Sequence, residues 1–121
     1  MIDDSKWIAA MSDLIALSKK APAGSEILLE CLSIANMLLE KNVAYGNSAL
    51  NPIQIFAKIP PGDQLDVRID DKLNRIKNGS TYAGDNDMLD LVGYIVLKLV
   101  DQKRVRQIGG NDGTTQEGSD Q

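Results

Sequence analysis

Residues 25–40 read Ser25-Glu26-Ile27-Leu28-Leu29-Glu30-Cys31-Leu32-Ser33-Ile34-Ala35-Asn36-Met37-Leu38-Leu39-Glu40. Ser25 is a good N-cap, and Glu26 falls in the first turn that would follow it. Apolar side chains occupy almost the whole circumference of the helix this stretch predicts. The polar remainder is a narrow stripe of Glu26, Glu30, Ser33 and Glu40, with Asn36 at its edge. A helix this apolar has to be covered on several sides. The requirement sets the frame for the rest of the chain.

Toward the N-terminus, Ala21-Pro22-Ala23-Gly24 breaks the chain. Before the break, Trp7, Ile8, Met11, Leu14, Ile15 and Leu17 repeat at helical spacing and predict a first helix from Asp4 to Lys19. Asp3 or Asp4 can cap it, and Lys19-Lys20 suits its C-terminal end. The start of the chain, Met1-Ile2-Asp3-Asp4, is acidic and unlike a signal peptide.

Toward the C-terminus, residues 41–64 read as an irregular connection. A short helix is expected around Ile53 to Ala57, with Pro52 at its first position and Pro60-Pro61-Gly62 as its stop. A third long helix is predicted from Asp63 to Lys77, ending at Asn78-Gly79. Leu65, Ile69, Leu73 and Ile76 form its expected buried face. Arg68, Lys72 and Arg75 make a basic stripe beside that face, flanked by Asp66, Asp70 and Asp71. Asp85 can cap a fourth helix from Asn86 to Arg106. Between Leu89 and Val100 only Asp90 and Lys98 are charged, so this helix also reads as surrounded. One of its faces stays partly polar at Asp87, Asp90, Tyr94 and Asp101.

No segment shows the period-two alternation of a strand. The expected fold is all-α, with four main helices in a bundle over residues 1–106, a short helix in the central loop and a flexible tail over 107–121. The tail has four glycines and one large apolar side chain, Ile108, too little to offset its ordering entropy. Two helices apolar on most faces are hard to cover in so small a domain. Homo-oligomerisation through the second and fourth helices would cover them.

Composition limits the chemistry. The 121 residues carry 13 Lys+Arg against 17 Asp+Glu and no histidine. Triads, Cys-His dyads and histidine-zinc sites are thereby excluded. Cys31 has no partner for an internal disulfide, and its apolar neighbours predict a small buried side chain. The net charge of −4 argues against direct DNA binding, although three of the acidic residues lie in the tail and the body is nearly neutral. The longest apolar stretch is too short to span a membrane.

Three constellations remain. Glu26 with Glu30, and Asp87 with Asp90, pair carboxylates one helical turn apart. They serve either as helix-end stabilisers or as ligands for Mg²⁺. Arg68, Lys72 and Arg75 form either a phosphate grip or a solvated face neutralised by nearby aspartates such as Asp71. The stretch Asn42-Val43-Ala44-Tyr45-Gly46-Asn47-Ser48 is either a ligand loop, with Tyr45 stacking on a base and Gly46 allowing close approach, or a helix terminator followed by a turn.

Three segments together resemble a group of small phage proteins, the nucleotide modification associated domain family. They are Lys41-Asn42-x-x-Tyr45-Gly46-x-Ser48-Ala49, Arg68-Ile69-Asp70-Asp71-Lys72-Leu73-x-Arg75-Ile76 and Asp87-x-x-x-Leu91-x-Gly93-Tyr94. That group is in turn loosely similar to the all-α nucleoside triphosphate pyrophosphohydrolases of the MazG-like and dimeric dUTPase type. The phage-group resemblance implies a recognition set of Asn42, Tyr45, Gly46, Arg68, Asp71, Lys72 and Arg75 for a phosphorylated nucleoside. The acidic start and the short apolar stretches lead to the expectation of a cytoplasmic protein, in the host cytoplasm for a viral source. The hydrolase resemblance implies Mg²⁺ held between an E-x-x-E helix and an E-x-x-D helix. Glu26 and Glu30 depart from the first spacing, and Asp87-Met88-Leu89-Asp90 keeps the second with a shorter acid.

These features frame three readings. The first is an oligomeric nucleotide-binding protein that sequesters a nucleotide-derived defence signal or handles modified nucleotides. The second is a Mg²⁺-dependent nucleotide pyrophosphohydrolase. The third is a helical scaffold whose apolar faces bind another protein.

Overall fold

The computed structural model describes residues 2–79, 84 and 86–110. The chain is all-α, with four helices and, among the described residues, no strand. They are α1 (Asp4–Lys20), α2 (Gly24–Tyr45), α3 (Pro61–Asn78) and α4 (Asp87–Gly110). The chain divides into two compact units, Met1–Lys41 and Asn42–Gln121.

The first unit holds α1 and most of α2. Asp3 is the N-cap of α1: its carboxylate accepts from the Lys6 amide at 3.1 Å and from the Ser5 hydroxyl at 2.6 Å. The Ser5 hydrogen bond first, then that of Lys6, holds the Asp3 carboxyl below its ordinary value. Lys19 and Lys20 complement the other end of the helix dipole. The break ends sooner than its composition suggests. Gly24 already belongs to α2, so Ser25 lies inside the first turn and is not the cap. Gly24 is buried, and a Cβ there would collide with the Ser18 carbonyl, so the α1–α2 corner requires glycine.

Helix α2 also ends later than expected. Residues 41–45 continue it, which puts Asn42 and Tyr45 on its last turn and not in a loop. Gly46 (φ 62°) and Asn47 (φ 66°) then enter the left-handed region and end the helix. A turn follows, closed by Leu50 and Asn51 amides donating to the Asn47 carbonyl. The short helix expected at Ile53–Ala57 does not form. Gln54 sits at φ 57°, which interrupts any right-handed helical path through those residues.

The second unit is built on α3 packed along α4. Pro61 occupies the first turn of α3, where its missing amide costs nothing, so Pro60-Pro61-Gly62 starts the helix two residues earlier than expected. Gly79 (φ 67°) closes it with its amide directed at the Arg75 and Ile76 carbonyls. At the start of α4, Asn86 Oδ1 accepts from the Leu89 amide at 3.0 Å and supplies the cap that was assigned to Asp85, which lies outside the described residues. Helix α4 continues past Arg106 to Gly110, so the first four residues of the expected tail are helical; residues 111–121 lie outside the described residues.

Burial departs furthest from expectation. Among the described residues only Leu65, at 1% exposure, is a fully buried hydrophobic side chain. The apolar face of α3 is covered only near its N-terminal half, since Leu73 and Ile76 are exposed. Cys31 is exposed as well, against the expectation of a buried thiol.

Candidate functional site

The basic stripe of α3 and the polar stripe of α4 face each other. As α3 runs from Gly62 to Arg75, its partners on α4 run back from Asp101 to Asp87, an antiparallel register read from side-chain contacts. At one end, Lys72 Nζ lies 3.0 Å from Asp90 Oδ2 and 3.3 Å from Asp87 Oδ1. Arg75 reaches the same Asp87 oxygen at 3.6 Å. In the middle, the Arg68 guanidinium sits over the Tyr94 ring, 5.9 Å from its centroid. At the other end, Lys98 Nζ pairs with Asp66 at 2.8 Å and donates to the Gly62 carbonyl at 3.1 Å. Gly62 is buried, and a Cβ there would press on the Asp101 carboxylate, so this side chain of α4 fits against α3 where α3 has none.

Lys72 and Asp87 are the most enclosed members, at 11% and 12% side-chain exposure. The hydrogen bond to Asp90 holds the Lys72 ammonium above its ordinary value. The one to Asp87 adds to it, while burial and the Arg75 charge act the other way. Arg68 is exposed and Arg75 is half exposed, and each guanidinium meets α4, Arg68 at the Tyr94 ring and Arg75 at Asp87.

The predicted recognition residues therefore fall in two places. Arg68, Lys72 and Arg75 lie on the α3–α4 seam, with Asp71 exposed on the same helix. Asn42, Tyr45 and Gly46 lie at the end of α2. There the Asn42 side-chain amide donates to Asn47 Oδ1 at 2.9 Å and the Asn47 amide donates to the Asn42 carbonyl at 3.3 Å. Asn42, Gly46 and Asn47 thus build a helix terminator, while the Tyr45 ring is exposed.

The four carboxylates expected to hold Mg²⁺ are divided between the two units. Glu26 and Glu30 belong to the first unit, and Asp87 and Asp90 to the second. Among the described residues no group of three or more acidic or thiol side chains could hold a metal ion. An ion at Asp87 and Asp90 would have to displace the Lys72 ammonium.

Both stripes are legible in the sequence, where the basic one reads either as a phosphate grip or as a face neutralised by aspartates of its own helix. The pairing with Asp87 and Asp90 was missed, as were the roles of Gly62, Asp66, Lys98 and Asp101. The signal was available: two stripes of opposite character on consecutive helices joined by a short connection. Gln64, which fastens the central loop by donating to the Ile59 carbonyl at 2.9 Å and to the Ala57 carbonyl at 3.3 Å, carries no such signal. Among the described residues no helix is long and apolar enough to cross a membrane. Comparison of the chain with protein-family models, with curated proteins and with solved structures gives no match.

Proposed function

We propose that this chain is a homo-oligomeric protein that binds a phosphorylated nucleoside through the cationic side of the α3–α4 seam. The observation that carries the reading is the state of Arg68. Its guanidinium is held over the Tyr94 ring yet remains exposed, so a planar donor fork is already fixed in place for an anion. Arg75, two turns further along α3, presents a second anchored guanidinium about 10 Å away along the axis. Tyr45, exposed at the end of α2, offers a ring for a base to stack on. Lys72, committed to Asp87 and Asp90, sets the seam's geometry and does not itself meet the ligand.

The resemblance to the phage group supports the same reading. It points to handling of modified nucleotides, or to holding a nucleotide-derived defence signal of the host, in the cytoplasm. No general base or metal centre is needed for such a role.

Calorimetric titration of the full chain with mono-, di- and cyclic nucleotides tests the proposal. Saturable heat from at least one of them is expected, reduced at least tenfold in affinity by Arg68→Ala. Absence of heat from the whole panel with a folded sample, or binding that Arg68→Ala and Arg75→Ala leave untouched, would overturn it. Pyrophosphate release that requires Mg²⁺ would instead favour the hydrolase reading.

A further inference from the structure

On α2, Leu29, Leu32, Asn36, Leu39 and Val43 follow one another in alternating steps of three and four residues. This is the spacing of a coiled-coil seam, with Leu29, Asn36 and Val43 at one set of seam positions and Leu32 and Leu39 at the other. All five side chains are exposed. At about 100° of rotation per residue they fall on one strip, with the half-covered Ile34 and Leu38 on the opposite side of the helix. The strip is therefore a second apolar face, separate from the one the chain partly covers.

Asn36 identifies what covers it. An amide in the middle of an apolar seam needs a partner that both donates and accepts. The same residue of a second copy meets both needs when two helices run parallel, because like seam positions then face each other. A lone amide at such a position is the device that fixes register in two-stranded parallel pairs. The flanking positions agree: Leu28, Ala35 and Asn42 on one side meet Ser33 and Glu40 on the other, so no like charges are brought together.

We infer that α2 docks on α2 of a second copy of this chain, parallel and in register at Asn36. The inference rests on the homo-oligomer part of the reading above and is independent of any nucleotide. Leu29→Cys with Cys31→Ser, in the full chain without nucleotide, tests it by oxidative cross-linking. Parallel pairing brings residue 29 next to its own copy and gives a disulfide-linked dimer. Antiparallel pairing holds the two about 20 Å apart along the helix and gives none. An oligomer that fails to cross-link at residue 29, or a chain that sediments as a monomer, overturns the inference. Leu32→Glu adds a second readout on a side chain that is already exposed: it is expected to turn the assembly into monomers that keep their helical signal, and an unchanged assembly counts against the interface. A failed nucleotide titration leaves these outcomes intact, and failed cross-linking leaves the titration intact.

Discussion

Lys72 shows how one side chain ties two helices. It is nearly enclosed and meets two carboxylates of α4 within hydrogen-bonding distance. Replacing it with methionine keeps most of the volume and takes the ammonium away from Asp87 and Asp90, so Lys72→Met is expected to cost about 2 kcal/mol in denaturant unfolding followed by circular dichroism. Asp66→Asn removes a partner that is largely exposed and should cost less than about 1 kcal/mol in the same assay. The pH dependence follows from the direction of the Lys72 shift. Its value in the folded chain lies above the ordinary 10.5, so its contribution is complete below that pH and is lost as pH rises through the folded value. Melting temperatures measured upward from pH 9 should therefore fall more steeply in the native chain than in Lys72→Met; parallel curves would contradict the assignment.

Among the elements, the helices were legible because apolar spacing and caps agree with each other. Asp3 before Trp7, and Gly79 after Ile76, mark ends that the structure keeps. The misread boundaries have physical causes. Glycine at Gly24 serves the α1–α2 corner and not a loop, and α2 runs on through Asn42 to Tyr45 because the first left-handed residue is Gly46. Gly46→Ala should therefore cost about 1 kcal/mol through backbone strain alone, since nothing crowds a Cβ at that position. Leu65→Ala, which empties the one fully buried hydrophobic position among the described residues, should cost about 3 kcal/mol. The candidate site was half legible: the cations of α3 were named from spacing, but their carboxylate partners sit on another helix, and spacing within one helix carries no information about register between two.

At the scale of the whole molecule, 43% hydrophobic composition meets a single fully buried hydrophobic side chain among the described residues. Trp7, Ile8, Leu29, Leu39 and the almost fully exposed Phe56, at 98%, remain open to water. Two helices apolar on most faces already carry this tension in the sequence, where homo-oligomerisation through them is the expected covering. Under the proposal of a homo-oligomer, a second copy completes the folded state. Its stability then depends on protein concentration, because association and folding share one free energy. Sedimentation of the full chain over a dilution series, with the helical signal and thermal melting recorded at each step, tests this most directly. An assembly of two or more copies whose melting temperature falls with dilution is the predicted result. A monomer at every concentration, melting cooperatively at one constant temperature, would contradict it.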